Sequence, residues 1–308
     1  MTLPIIHIGY PKTGTTWFQN HFYPKIVNYR YLSRPLVFKH LIEPDIFSYD
    51  PSISIKELEI TGDNIVICEE LLLGGIDIGY GNGSYIKEMA LRLKQTFPNG
   101  RVVIFIRNQV DTIASWYYQY LRTGGSYSAK KYLFRENMYN LFYKEYDLFS
   151  FKILEYDKII DLYTSIFGLE NVHVYLYEDF LHQKESFIKD FLIRYGFETT
   201  DSSNLEYFKK PNKRYRVIIL YFARLVNYFT NKNHVFKRYF FHIPYLFELS
   251  LRVFENLNKF WIFGSRSSNR VILGREIISF INNYYKDSNK RLLENYNIER
   301  IMHYNYPV

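Results

Sequence analysis

Four short aliphatic and β-branched runs, Ile5–Ile8, Ile65–Cys68, Val102–Ile106 and Val172–Leu176, are separated by long stretches of helical period. Short, mostly apolar runs alternating with segments of helical period are the pattern of a parallel sheet covered by helices. Between them Ile86, Met89, Ala90, Leu93 and Phe97 fall at helical spacing, as do Phe187, Ile188, Phe191, Leu192 and Tyr195. Each segment offers one apolar stripe to a sheet. After Thr199 no comparable strand follows, and three aromatic, basic stretches, Tyr215–Thr230, Pro244–Phe263 and Arg275–Tyr296, read as a helical cap.

The 308 residues are 47% hydrophobic, enough for a sizeable core. Cys68 is the sole cysteine, which rules out an intramolecular disulfide and a cysteine-based zinc site and suits a reducing cytoplasm. The chain starts without a basic n-region or a long apolar h-region, so a cytoplasmic location is expected. The net charge of +8 is uneven: residues 201–308 hold 18 Lys+Arg against 8 Asp+Glu, residues 1–200 hold 21 against 23. That bias favours an anionic partner, whether a nucleotide, an acidic glycan or an anionic membrane surface. Nucleic acid is not expected, because no binding motif accompanies the charge. Tyr239–Phe263 is apolar, but His242, Pro244, Glu248, Arg252, Glu255 and Lys259 interrupt it, so a cap helix or a surface-lying amphipathic helix is predicted, with peripheral membrane contact open to this last third.

The sharpest local signal is Gly9-Tyr10-Pro11-Lys12-Thr13-Gly14-Thr15-Thr16-Trp17, a turn between the first apolar run and a helix start. Glycine lets the backbone approach a ligand, and the first-turn N–H groups and helix dipole favour an anion. Lys12 adds a charge, Thr15 and Thr16 hydroxyl donors. Gly9 and Gly14 keep the Gly-x-x-x-x-Gly spacing of a triphosphate loop, but Thr15 stands where lysine should follow. The cation has moved inside the loop to Lys12, which points to a donor that needs no metal.

Tyr-Pro-Lys-Thr-Gly-Thr-Thr-Trp closely resembles the 5′-phosphosulfate loop of the sulfotransferases that use 3′-phosphoadenosine 5′-phosphosulfate (PAPS) and release adenosine 3′,5′-bisphosphate (PAP). The resemblance implies a P-loop-like three-layer α/β fold and a binding loop comprising Pro11, Lys12, Thr13, Gly14, Thr15, Thr16 and Trp17. Lys12 would contact the leaving oxygen, the threonines the 5′-phosphate, and Trp17 the adenine. One domain over residues 1–308 is expected, with a nucleotide-binding core over 1–199 and a cap with closing loop over 200–308.

A second segment strengthens the likeness. The run Val102–Ile106 ends in Arg107, and Ser115 lies two turns into the following helix, so both can converge on one anion at a strand's carboxyl end. They resemble the family's 3′-phosphate pair, the group that separates PAPS from ATP. Gln109 departs from the family's usual proline, and Asp111 reads as a helix-start residue. Tyr177 resembles a tyrosine near the adenine, and Lys213 and Arg214, within Lys209-Lys210-Pro-Asn-Lys213-Arg214, resemble a basic loop closing over the 3′-phosphate.

Transfer also needs a base across the sulfate from Lys12. The run Ile65–Cys68 delivers Glu69 and Glu70 to the sheet's carboxyl edge. This resembles bacterial and glycan-modifying members, which carry a glutamate there, and their pattern falls on Glu70. Glu69 is the alternative, and His40 a third with no motif around it. A sulfotransferase acting on a carbohydrate or glycolipid acceptor, through a hydroxyl or an amine, is therefore expected. An ATP-dependent small-molecule kinase and a non-catalytic peripheral membrane protein on the same scaffold are the competing readings.

Overall fold

The computed structural model of the chain describes residues 3–62, 64–74, 83–134, 148–199, 214–232 and 237–308. A five-stranded, wholly parallel sheet lies at the centre, made of β1 (Ile5–His7), β2 (Arg30–Tyr31), β3 (Ile65–Cys68), β4 (Arg101–Ile106) and β5 (Val172–Leu176), in the order β2-β3-β1-β4-β5. Ile6 stands between Ile67 on one side and Val102 on the other, so β1 is the middle strand.

Side chains alternate across the pleat. Ile6, Ile8, Ile65, Ile67, Val102, Ile104 and Ile106 join the larger core on one face, where the helices Ile86–Thr96, Gln109–Arg122, Tyr156–Phe167 and Arg275–Tyr296 contribute side chains. Ile5, Val66, Cys68, Val103 and Phe105 join a smaller, aromatic core on the other face, closed by Phe18, Phe22, Phe180, Phe191 and Phe197. The inner strands β1, β3 and β4 are buried on both faces, which is why they read as largely apolar runs.

Of the four expected strands, Ile65–Cys68 and Val172–Leu176 coincide with the observed ones, and the other two differ by one residue at one end. The edge strand β2 was not anticipated. Beyond residue 214 the described residues form helices, with one isolated bridge between Arg216 and Arg266. The stretch expected over Tyr215–Thr230 is the helix Val217–Val226 with a tight turn after it, and that over Pro244–Phe263 is the helix Leu246–Leu257 followed by the turn Trp261–Phe263. Among the described residues no helix is long and apolar enough to cross a membrane.

Candidate active site

The middle strand delivers the site. After β1 the chain turns through Gly9–Gly14 and enters a helical segment of one α turn (Thr15–Trp17), a π-helical stretch (Phe18–Phe22) and a tight final turn (Tyr23–Lys25). Pro24 cannot donate a helical hydrogen bond, which accounts for the change of winding there. Gly14 has φ of 93°, and a Cβ on it would come within 3.1 Å of Phe180. At Gly9 a Cβ would stand 2.5 Å from the Thr15 methyl.

Lys12 holds φ of 73°, a left-handed conformation that costs a side-chain-bearing residue about 1–2 kcal/mol. The neighbouring strand and helix hold the loop in place. Arg107 Nη1 donates to the Lys12 carbonyl at 3.1 Å, and Trp116 Nε1 to the Pro11 carbonyl at 3.1 Å. The two segments singled out in the sequence are thus bonded to each other.

Thr13 and Thr15 turn inward. Thr13 is buried and its hydroxyl donates to the Tyr10 carbonyl at 2.6 Å, so it shapes the turn. Thr16 is exposed and lines, with Lys12, Gly14 and Trp17, a cleft of about 750 Å³. Trp17 is largely packed, its ring 5.1 Å from Phe180 and beneath Lys184 Nζ at 4.3 Å, leaving an edge to the cleft.

Arg107, Ser115, Tyr177 and Arg214 line the same cleft. Asn108 caps the helix Gln109–Arg122 by accepting from the Val110 and Asp111 N–H groups at 2.9 and 3.3 Å. Asp111 is therefore a first-turn residue and not the cap, and its carboxylate accepts a hydrogen bond from Asn269 Nδ2. Gln109, in place of the expected proline, forms an amide pair with Asn289, Nε2 to Oδ1 at 2.7 Å and the reverse bond at 3.2 Å. That pair fixes the segment after Arg107 to the final long helix, so rigidity comes from docking. The Arg107 guanidinium lies over the Tyr177 ring at 4.9 Å, and the Tyr156 hydroxyl donates to the Arg107 carbonyl at 2.6 Å.

Arg214 Nη1 donates to Asn269 Oδ1 at 2.7 Å. Burial, and then the charge of Arg107, lower its pKa. Two guanidinium groups that repel each other while facing one cavity make a place for a multiply charged anion. Arg122, His21 and Asn20 also belong to the lining, which contains no acidic side chain among the described residues. Arg122 and Asn269 were missed by sequence reading, since nothing local marks them. Lys213, and with it Lys209 and Lys210, lies outside the described residues.

The two glutamates after β3 differ sharply. Glu69 is 1% exposed, caps the turn Glu70–Leu73 by accepting from the Leu71 N–H at 3.2 Å, and receives Arg34 Nε and Nη2 at 2.5 and 3.0 Å. Its lone pairs are committed. Glu70 is more open and accepts from Gln19 Nε2 at 3.0 Å, while the same amide donates to the Cys68 carbonyl at 3.1 Å. Gln19 belongs to the segment that begins at the loop, so Glu70 is moored to that segment, although neither glutamate lines the cleft itself. His40 lies on the turn Phe38–Ile42 and is not part of the cleft lining either.

Beneath the loop, His7 is fully buried, with Nδ1 2.9 Å from the Tyr23 hydroxyl and Nε2 without a hydrogen-bond partner. Burial lowers its pKa to about 3. A group whose folded pKa lies below its unfolded value gives stability that is full above the unfolded pKa of 6.5 and declines as pH falls towards 3, here by on the order of 5 kcal/mol. Urea unfolding near pH 7 and near pH 4.5 should show this loss, and His7→Phe should be less acid-sensitive by roughly 2–3 kcal/mol over that interval. An equal pH dependence in both proteins would contradict it.

A family model described as a sulfotransferase domain matches residues 4–209. No curated protein matches the chain. Among solved structures, a crystal structure of a sulfotransferase from Alicyclobacillus acidocaldarius is similar at 16% identity with a TM-score of 0.46, over 66% of this chain and 85% of that one.

Proposed function

The chain belongs to the sulfotransferase family, and from that premise we propose that it transfers a sulfuryl group from PAPS, by in-line displacement, to a hydroxyl or amine of a carbohydrate or glycolipid acceptor. The observation that carries the donor is the meeting, in one cationic cleft, of the Lys12–Trp17 loop with Arg107, Ser115 and Arg214. The loop suits the 5′-phosphosulfate, and the facing arginines and serine suit the 3′-phosphate. Trp17 and Tyr177 would flank the base by their ring edges and faces.

In this reading the acceptor oxygen or nitrogen attacks sulfur as the bond from sulfur to the 5′-phosphate oxygen breaks. Lys12 stabilises the negative charge gathering on the leaving PAP. Glu70 takes the acceptor's proton, and Gln19 holds its carboxylate. The glutamate base and the aromatic surroundings support a sugar acceptor, and the reaction takes place in the cytoplasm or at its membrane surface. Residues 1–199 act as the nucleotide-binding core and 200–308 as a cap. The displaced loop cation supports a metal-free donor, whereas the kinase reading requires ATP turnover that depends on Mg²⁺.

Incubation with sulfur-labelled PAPS and a panel of glycans, glycolipids and phenols tests the acceptor; label appearing on a phenol and on no sugar would overturn the carbohydrate assignment. For the donor, Arg107→Ala should weaken PAP on the order of a hundredfold and 5′-AMP far less. Equal losses for both nucleotides would remove Arg107 from the 3′-phosphate.

A further inference from the structure

The helices Val217–Val226 and Leu246–Leu257 pack together as a hairpin. At one end the Phe240 N–H donates to the Tyr228 carbonyl at 2.7 Å and the Ile243 N–H to the Phe229 carbonyl at 3.0 Å. The first helix packs inward through Ile219, Leu220 and Ala223. Its opposite face carries Ile218, Tyr221, Phe222 and Leu225, at i, i+3, i+4 and i+7, all exposed. A helix that is apolar on both faces has a second surface to cover. Exposed apolar side chains continue at the hairpin's two ends, with Phe240 at 72% and Tyr245 at 83% exposure near one and Trp261 at 80% near the other.

Against the same hairpin lies a second cleft, of about 620 Å³, separate from the donor cleft in its lining. Four cations meet in it, Lys131, Arg224, Lys237 and Arg238, beside the rings of Tyr228 and Phe240. Lys237 is 6% exposed, and its Nζ donates to the Asn227 carbonyl at 2.7 Å and to Thr230 Oγ1 at 2.9 Å. A cleft that gathers this many cations beside aromatic rings suits an anion.

We propose that the hairpin's exposed face and this cleft form one docking surface for an anionic bilayer, with Tyr221, Phe222, Leu225 and Trp261 entering the interface and the cleft taking a lipid phosphate. Aromatic rings partition to the boundary between headgroup and acyl chain, and basic residues near that plane each add about 1 kcal/mol on an anionic leaflet. Charge also sets the occupant. Residues 201–308 carry 18 Lys+Arg against 8 Asp+Glu, so two copies of this face repel each other and an anionic surface attracts it. Leu251 of the hairpin's second helix lines the donor cleft, so the docking element borders that cleft. For the acceptor, this deepens the glycolipid reading above and rests on it; the docking itself does not.

Flotation of the full chain with vesicles of phosphatidylcholine, alone or with about one part in three of phosphatidylglycerol, tests the surface. The expected result is binding to the mixed vesicles and little to phosphatidylcholine alone. The paired change Phe222→Ser with Trp261→Ser should reduce binding at least roughly tenfold, and Arg238→Glu by about tenfold. Calorimetry with PAP on the same samples reads the donor cleft separately and should be unchanged in these variants. No flotation with mixed vesicles, or flotation insensitive to both sets of changes, overturns the inference. So does competition by a soluble sulfated glycan without vesicle binding, or a dimer in sedimentation that the paired serine change dissolves. Loss of PAP binding with vesicle binding intact would instead count against the proposed donor.

Discussion

Lys12→Ala should lower sulfuryl transfer on the order of a thousandfold while leaving the fold intact. The charge that develops on leaving PAP in the transition state has Lys12 as its nearest loop cation in the proposed geometry, and removal of one such preorganised stabiliser commonly costs a factor of this size. The backbone at this position complicates a single substitution, because φ of 73° disfavours alanine. Lys12→Gly removes the same charge and accommodates that conformation, so the two variants should be equally inactive while the glycine form keeps the higher melting temperature. Full turnover in the glycine variant would sink the role assigned to Lys12.

The second large effect is on the base. Glu70→Gln keeps the volume and a hydrogen-bonding partner for Gln19, yet removes the proton acceptor, so kcat should fall by about 10²–10⁴ with PAP affinity unchanged. Glu69→Gln should behave differently. Glu69 is buried against Arg34 and caps the turn that carries Glu70, so its loss should appear as about 1–3 kcal/mol of stability with most activity retained. Arg34 is partly exposed, which keeps that figure at the lower end for a buried ion pair. A normal rate in Glu70→Gln together with an inactive, stable Glu69→Gln would move the base one residue back.

The parallel sheet was legible because its inner strands β1, β3 and β4 are buried on both faces, leaving largely apolar runs that turns and helices interrupt. Edge strand β2 was not: it is two residues long, and Arg30 spends its guanidinium on the Leu58 and Glu59 carbonyls, so it shows no strand pattern. The long helix Arg275–Tyr296 coincides with the stretch expected there; Gly274 precedes it and Asn297, in a left-handed conformation, ends it. The aromatic content carried little information as a number. In the fold Phe18, Phe22, Phe105, Phe180 and Phe191 form one packed cluster under the loop and its helix, a use that composition has no position to reveal.

In the site, residues that act as contiguous loops could be found, and those that act across the chain could not. Lys12, Thr16 and Trp17 share one turn, and Arg107 and Ser115 one strand-to-helix junction. Asn269 reaches both Asp111 and Arg214, and Gln19 reaches Glu70, over separations that no local pattern records. The sequence also could not tell which way each threonine turns. Thr13 and Thr15 face the protein and Thr16 the cleft because the left-handed Lys12 and Gly14 wind the loop about its own inner side.

The most direct test of the donor site is titration calorimetry of the full chain with PAP, set against 5′-AMP and against ATP with Mg²⁺ under the same conditions. Two arginines and a serine facing the Lys12 loop predict that PAP binds at least on the order of a hundredfold more tightly than 5′-AMP, and more tightly than ATP with Mg²⁺. Equal affinities, or a preference for ATP with Mg²⁺, would contradict the assignment of this cleft to PAPS.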